Sequence, residues 1–135
     1  MRRGIVVLSV MIMSAISIDV SSADINEGHS DEGLYTIRAQ AEPSRPVVGN
    51  NTITLTVFDR RTKAKVEGAV IEVTPWMTMH SHGSSKKTRV REKGNGVYAV
   101  EDVYFTMEGD WDLLIKIQKN GISDSAILTV RGIKK

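Results

Sequence analysis

The stretch that decides the fold is TITLTVF, at residues 52–58. Within it Ile53, Leu55 and Val57 alternate with threonines, so the three apolar side chains fall on one face of an extended strand. β-Branched residues suit such a strand because they fit a pleated surface that is buried on one side. The pattern predicts a strand with one face in a core and the other toward solvent.

Six further segments on either side have a similar strand-like pattern, and turn-forming residues separate them. These predicted strands are 35–41, 69–74, 88–92, 97–106, 111–117 and 123–130. The clearest turn is KGNG at 93–96, because Asn and Gly accept positive φ. The strand at 97–106 changes its apolar parity midway, which predicts a bulge near Glu101 and Asp102. About seven short strands at this spacing predict an all-β, immunoglobulin-like antiparallel β-sandwich over residues 34–131.

The residues before this domain have the character of an export signal. Arg2 and Arg3 precede an almost wholly apolar run at 5–18, and small residues end at Ala23. We therefore expect a signal peptide over 1–23 that is cleaved after Ala23. The alternative is a retained membrane anchor, for which the run is short compared with the roughly 20 residues that span a bilayer. After cleavage we expect no direct membrane insertion and an exported, periplasmic or otherwise extracytoplasmic protein, whose polar residues 24–33 form a disordered lead.

The charge balance and the absence of cysteine limit the partners and the metal ligands that we expect for this protein. The chain has 18 Lys and Arg against 16 Asp and Glu, and removal of residues 1–23 leaves 16 against 15. Such a weak net charge does not favour nucleic acid or an anionic membrane as a partner. With no cysteine in the chain, disulfides cannot stabilise the domain, and a soft-metal site would need methionine and histidine ligands.

One loop has an unusual composition. PWMTMHSHGS at residues 75–84 holds two methionines and two histidines within six positions, and a further methionine, Met107, precedes Gly109. Thioether and neutral imidazole are ligands that suit copper, Cu(I) especially. The candidate metal ligands are Met77, Met79, His80, His82 and Met107.

Strand parity predicts that these donors meet at one end of the sandwich. In an up-and-down meander the successive connections alternate between the two ends, which puts 75–87 and 107–110 together if 97–106 is one bulged strand. In an extended segment, however, Met77 and Met79 face away from His80 and His82, so a single site needs a turn within residues 80–83, which Gly83 permits. One set that fits is Met79, His80, His82 and Met107, with Met77 packing or completing the shell.

The same residues also have a purely structural interpretation. Methionines fill gaps in cores, and a surface loop can carry two histidines without binding anything. Trp76 and Trp111 are more typical of core or rim aromatics than of ligands. No nucleophile, base and orienting acid come together in the sequence, so we expect no catalytic residues and no enzyme activity.

Three pieces of the sequence, in this order, resemble the YtkA-like domain and the related FixH-like proteins. They are PWMTMHSHG at 75–83, GVY at 96–98 and FTMEGDW at 105–111. The resemblance spans about residues 35–130 and implies an immunoglobulin-like sandwich in the bacterial periplasm or at the cell surface. Members often have a Pro between the two methionines or a Met-Gly-His run, whereas here Thr78 and Ser81 occupy those places.

The resemblance also implies a function and partners. It implies a copper-binding, chaperone-like module, with membrane-bound copper-handling or cytochrome oxidase assembly proteins as partners. By position, the implied ligands are again Met77, Met79, His80, His82 and Met107. The alternative is a non-catalytic interaction domain of an envelope or oxidase assembly complex, in which Trp76, Met77 and Met79 would be exposed anchors.

Overall fold

The alternating segment at 52–58 lies within the long strand β3 (Gly49–Asp59), where Ile53, Leu55 and Val57 are fully buried. The computed structural model describes residues 26–135. The predicted signal peptide, 1–23, and its cleavage site therefore lie outside the described residues and stay predictions.

Nine strands make up the described chain, and a single 3-10 turn, Thr78–His80, interrupts them. Besides β3, the strands are β1 (Asn26–His29), β2 (Tyr35–Glu42), β4 (Val70–Met77), β5 (His82–Gly83), β6 (Arg89–Gly94), β7 (Val97–Phe105), β8 (Gly109–Lys119) and β9 (Ile122–Ile133). The seven predicted strands correspond to β2, β3, β4, β6, β7, β8 and β9. No helix among residues 26–135 has the length and apolar character needed to cross a bilayer.

The strands form two antiparallel sheets, one of five strands in the order β1-β2-β3-β7-β6 and one of four in the order β5-β4-β8-β9. Without β1 and β5 this is the constant-type immunoglobulin arrangement of four strands facing three. The predicted sandwich is confirmed. The meander is not, because β3 pairs with β7 across a large sequence separation and β4 belongs to the other sheet.

The inner faces of both sheets build one hydrophobic core. Its largest fully buried side chains are Trp111, Tyr98 and Phe105. The Tyr98 hydroxyl is satisfied there, since it donates to the Val66 carbonyl (2.8 Å) and accepts from the Ala69 N–H (3.2 Å). Among the described residues no buried side-chain nitrogen or oxygen lacks a hydrogen-bond partner.

The predicted bulge in β7 is present. Asn51 pairs with Val103 while Ile53 pairs with Val100, so Glu101 and Asp102 together oppose a single residue of β3. Asp102 takes up the extra length at a positive φ of 59°. The bulge keeps 97–105 as one strand, which was the condition for placing Met107 at the same end as the 75–87 loop.

The expectation of a disordered lead at 24–33 is wrong for the part that the structure describes. β1 pairs with β2, and a Cβ on Gly28 would lie 2.5 Å from Leu128 Cδ2, so glycine allows β1 to lie close to β9. The buried Asp124 carboxylate then accepts the backbone N–H groups of Glu32 (3.0 Å) and Leu34 (3.3 Å). Polar composition predicted disorder here, whereas the ordering partner comes from a strand about ninety residues later.

Candidate functional site at one end of the sandwich

The loop after β4 reverses direction within four residues. The 3-10 turn Thr78–His80 is closed by Ser81 in the left-handed conformation (φ 50°, ψ 44°), whose N–H donates to the Thr78 carbonyl at 3.3 Å. β5 then runs back along β4, so that His82 pairs directly with Met77. A turn was predicted here with Gly83 as the residue that permits it, but Ser81 has the positive φ instead.

The reversal brings donors from two distant segments together. His82 Nε2 lies 3.4 Å from Met107 Sδ, although 25 residues separate them. The His80 and His82 rings are neighbours, with their centroids 6.0 Å apart. Met79, in the same turn, is 85% exposed and Met107 is 38% exposed. We call these four residues, Met79, His80, His82 and Met107, the Met/His rim.

Met77 does not belong to this rim. It is only 2% exposed and packs in the core, where a Cβ on Gly109 would lie 3.1 Å from the Met77 methyl. Gly109 also has a φ of +129°, which side chains rarely adopt, so two constraints favour glycine beside Met77. Met77 would have to leave the core to bind a metal at the surface, so we assign it to packing, which is one of the two roles that the sequence predicts for it.

Trp111 supports the rim from below. Its ring is fully buried, and the His82 ring meets it edge to face with the centroids 5.5 Å apart. The indole Nε1–H donates to the Met107 carbonyl at 3.1 Å. One core side chain therefore holds both a rim imidazole and the backbone of a rim methionine. The sequence indicated Trp111 as a core or rim aromatic, but it could not show these two contacts.

Asp112 fixes the turn itself. Its carboxylate accepts the Thr78 hydroxyl (2.5 Å) on one oxygen and the Thr129 hydroxyl (2.7 Å) on the other. The start of the 3-10 turn is thereby tied to β8 and β9. No signal in the sequence pointed to this role, because hydroxyl partners 34 and 17 residues away leave no local pattern.

The Asp102 carboxylate, which lies within reach of the loop residue Lys86, already has partners. Arg89 donates to Asp102 at 2.9 Å, and Lys86 of the loop lies 4.0 Å from the other Asp102 oxygen. The hydrogen bond from Arg89, together with the charges of Arg89 and Lys86, outweighs partial burial and holds the pKa of Asp102 below its usual range. Within residues 26–135 no group of three His, Asp or Glu side chains comes together that could hold a metal ion.

Comparison with known proteins agrees with this architecture. A sequence profile described as YtkA-like matches residues 29–116, which is more than half of the chain. The chain belongs to the YtkA-like family. The match includes β4, the rim and the start of β8, so the described site lies inside the family domain.

A solved structure supports the fold of this YtkA-like domain. The crystal structure of a DUF4426 family protein from Pseudomonas aeruginosa PAO1 is similar, with a TM-score of 0.54 and 8% sequence identity. The similarity covers 81% of this chain and 96% of that one. At such low identity the likeness concerns the fold alone. No curated protein matches the chain in sequence.

Proposed function

We propose that this YtkA-like domain is an exported, non-catalytic module that binds Cu(I) at the Met/His rim and acts as a copper chaperone. Export rests on the signal-like sequence of residues 1–23. The single observation that carries the metal proposal is the convergence of His82 Nε2 and Met107 Sδ at 3.4 Å.

The second nitrogen of His82 has a partner that is compatible with the tautomer a metal site needs. His82 Nδ1 lies 3.2 Å from the Gly83 carbonyl oxygen, which can only accept a hydrogen bond. With the proton on Nδ1, a neutral ring presents a bare lone pair at Nε2 toward the Met107 sulfur. Metal-binding histidines commonly donate their other N–H to a backbone carbonyl in this way. Two electron-pair donors then face each other, an arrangement that a shared cation stabilises.

The separation of the two donors also suits a shared ion. Zinc binds imidazole nitrogen at about 2.0 Å and thiolate sulfur at about 2.3 Å, and with similar bond lengths to a thioether, tetrahedral angles would separate the two donors by roughly 3.5 Å. The observed 3.4 Å needs almost no adjustment. Thioether and imidazole are soft or intermediate donors, and with no cysteine in the chain this combination favours Cu(I) over hard cations.

Exposure of the remaining donors suits transfer of the ion. Met79 and His80 are exposed beside the fixed pair and can add ligands with little cost to the fold. An ion held at such an open rim is accessible to ligands from another protein. Membrane-bound copper-handling or cytochrome oxidase assembly proteins are the partners that the family resemblance suggests.

The test is an anaerobic Cu(I) titration of the purified protein against a chromophoric chelator. We expect one ion per chain, with quenching of Trp111 fluorescence because His82 lies against that indole. His82→Ala and Met107→Leu should each weaken binding by at least the roughly 10-fold to 100-fold that loss of an outer-sphere partner costs. Met77→Leu and His29→Ala are the matched controls, a buried methionine and a histidine on β1, and both should bind as the wild type does. Wild-type affinity in the His82→Ala protein would refute the proposal.

A second candidate function, docking to a protein partner without metal, is favoured by the 85% exposure of Met79. Large apolar side chains at a surface often anchor a protein contact. A partner captured equally well with and without a Cu(I) chelator, and lost on Met79→Ser, would support docking in place of metal transfer.

A further inference from the structure

A cleft lies at the end of the sandwich opposite the Met/His rim. We call it the far-end cleft and define it by its lining residues Leu34, Arg61, Lys65, Val66, Lys119 and Ile122. It opens between the start of β2, the β3–β4 connection and the β8–β9 turn, and its volume is about 650 Å³. This volume is in the range of about 300–1,000 Å³ that is typical of small-molecule sites.

One part of the far-end cleft is apolar. Ile122 is 58% exposed and Leu34 is 40% exposed, which are large fractions for aliphatic side chains. Val66 is buried and closes the cleft toward the core. A ligand with an apolar body would remove the exposed surface of Ile122 and Leu34 from water, which favours binding by about 25 cal/mol per Å².

The other part is cationic. Lys119 is fixed, since its ammonium donates to the Glu67 carbonyl at 2.6 Å and keeps further N–H groups. The Lys65 side chain has no hydrogen bond or ion pair with any described residue. With Arg61, three cations line a space whose single acidic lining residue is Asp59.

Asp59 only partly offsets these cations. One of its oxygens accepts the backbone N–H groups of Arg61 (2.9 Å) and Thr62 (2.8 Å). The hydrogen bond from the Thr62 backbone is the main reason that the pKa of Asp59 lies below its usual range. Its charge thus serves the loop conformation, and the lining keeps an excess of positive charge.

We propose that the far-end cleft binds a small anionic amphiphile, a carboxylate with an alkyl or aryl body. The carboxylate would lie near Lys65 and Lys119, and the body would cover Leu34 and Ile122. This site is independent of the Met/His rim and of its proposed function, because the two lie at opposite ends of every long strand.

The probe is octanoate, titrated into the ¹⁵N-labelled protein and followed by NMR. We expect saturable shifts at the amides of Gly33, Ala64 and Asn120, which line the cleft, and none at His82 or Met107. Octanol, which has the chain without the charge, should bind about threefold to fivefold more weakly, as expected for loss of an exposed ion pair. Acetate, which has the charge without the chain, should bind at least about tenfold more weakly.

Two surface variants test the two parts of the lining. Lys65→Ala should weaken octanoate binding about threefold to fivefold, and Ile122→Ser should weaken it at least as much. Their matched controls are Lys93→Ala and Val70→Ser, a lysine and an exposed aliphatic residue that do not line the cleft. The proposal is overturned if octanol binds as tightly as octanoate, if the shifts spread over the whole surface, or if Lys65→Ala and Ile122→Ser match their controls.

Discussion

The two ends of the sandwich use their polar side chains in opposite ways. At one end the Asp124 anchor, which consists of Asp124 with Ser30, Glu32 and Leu34, buries a carboxylate and surrounds it with hydrogen-bond donors. At the other end the Met/His rim brings together sulfur and nitrogen donors that have few partners. The Asp124 carboxylate has all its hydrogen bonds within the chain and stabilises the fold. The nitrogen and sulfur atoms of the rim have few partners within the chain and are available to bind a ligand.

The largest expected effect is a loss of stability on replacing Trp111, the core residue that contacts the rim. Trp111→Ala should lower the free energy of unfolding by about 3–5 kcal/mol, since it removes a fully buried indole and leaves a cavity. Urea unfolding followed by far-UV circular dichroism measures this loss. Trp111→Phe keeps most of the ring but not the hydrogen bond to the Met107 carbonyl, so we expect a smaller loss. Equal losses in the two variants would show that the indole volume does not support this end.

Substitution in the Asp124 anchor should cause the next largest loss of stability. Asp124→Ala leaves the N–H groups of Glu32, Leu34 and Ser125 without their acceptor, and we expect a loss of about 2 kcal/mol. Hydrogen exchange should accelerate in β1 and in residues 30–34, while the rim amides stay as protected as in the wild type. Faster exchange at His82 as well would contradict the independence of the two ends.

The anchor also predicts a pH dependence. Burial raises the pKa of Asp124, but hydrogen bonds from Ser30, Glu32, Ser125 and Leu34 outweigh it and hold that pKa below its usual range. A carboxyl with a depressed folded pKa stabilises the protein above its unfolded pKa of about 3.9, and this stability is lost as the pH falls through the folded value. Unfolding free energies measured from pH 6 down to about pH 2 should decline less steeply in Asp124→Asn than in the wild type. Parallel curves would assign the acid sensitivity to other carboxylates.

The smallest expected effects are those of exchanging Met77, at the end of β4, and Met79, in the turn that follows it. Met77→Leu should cost less than about 1.5 kcal/mol as a near-isosteric core exchange, and Met79→Leu should change stability by less than about 0.5 kcal/mol. If the rim binds copper, the order reverses for Cu(I) affinity, which should fall only in Met79→Leu. Thermal melts and the chelator titration measure the two quantities on the same samples. A drop in copper affinity on Met77→Leu would return that residue to the ligand set.

Much of the fold could be predicted because its signals are local. The alternation at 52–58, the glycines of the 93–96 turn and the parity change at Glu101 and Asp102 each reflect neighbouring residues, and each lies in the structure where it was expected. β1 could not be found in this way. Its sequence NEGH has no apolar alternation, and its order depends on pairing with β2 and on the anchor that follows it.

The sequence predicted which residue types form the candidate site and at which end of the sandwich they lie. It did not predict which of the methionines belong to the site. Chain direction alternates along the seven predicted strands whichever sheet each one joins, so the argument from parity succeeded although the assumed meander was wrong. Two methionines separated by a single threonine look equivalent in the sequence. The 3-10 turn separates them, because β4 carries Met77 into the core before the chain reverses and leaves Met79 outside.

The sequence alone determined which chemistry is available, since the strands, turns and soft donors are properties of residue type and short-range spacing. The tertiary structure alone decided which donors meet. The contact between His82 and Met107 depends on the left-handed Ser81, on the hold of Asp112 on Thr78 and on Trp111 beneath both residues. Such contacts join residues far apart in the chain, and no local pattern encodes them.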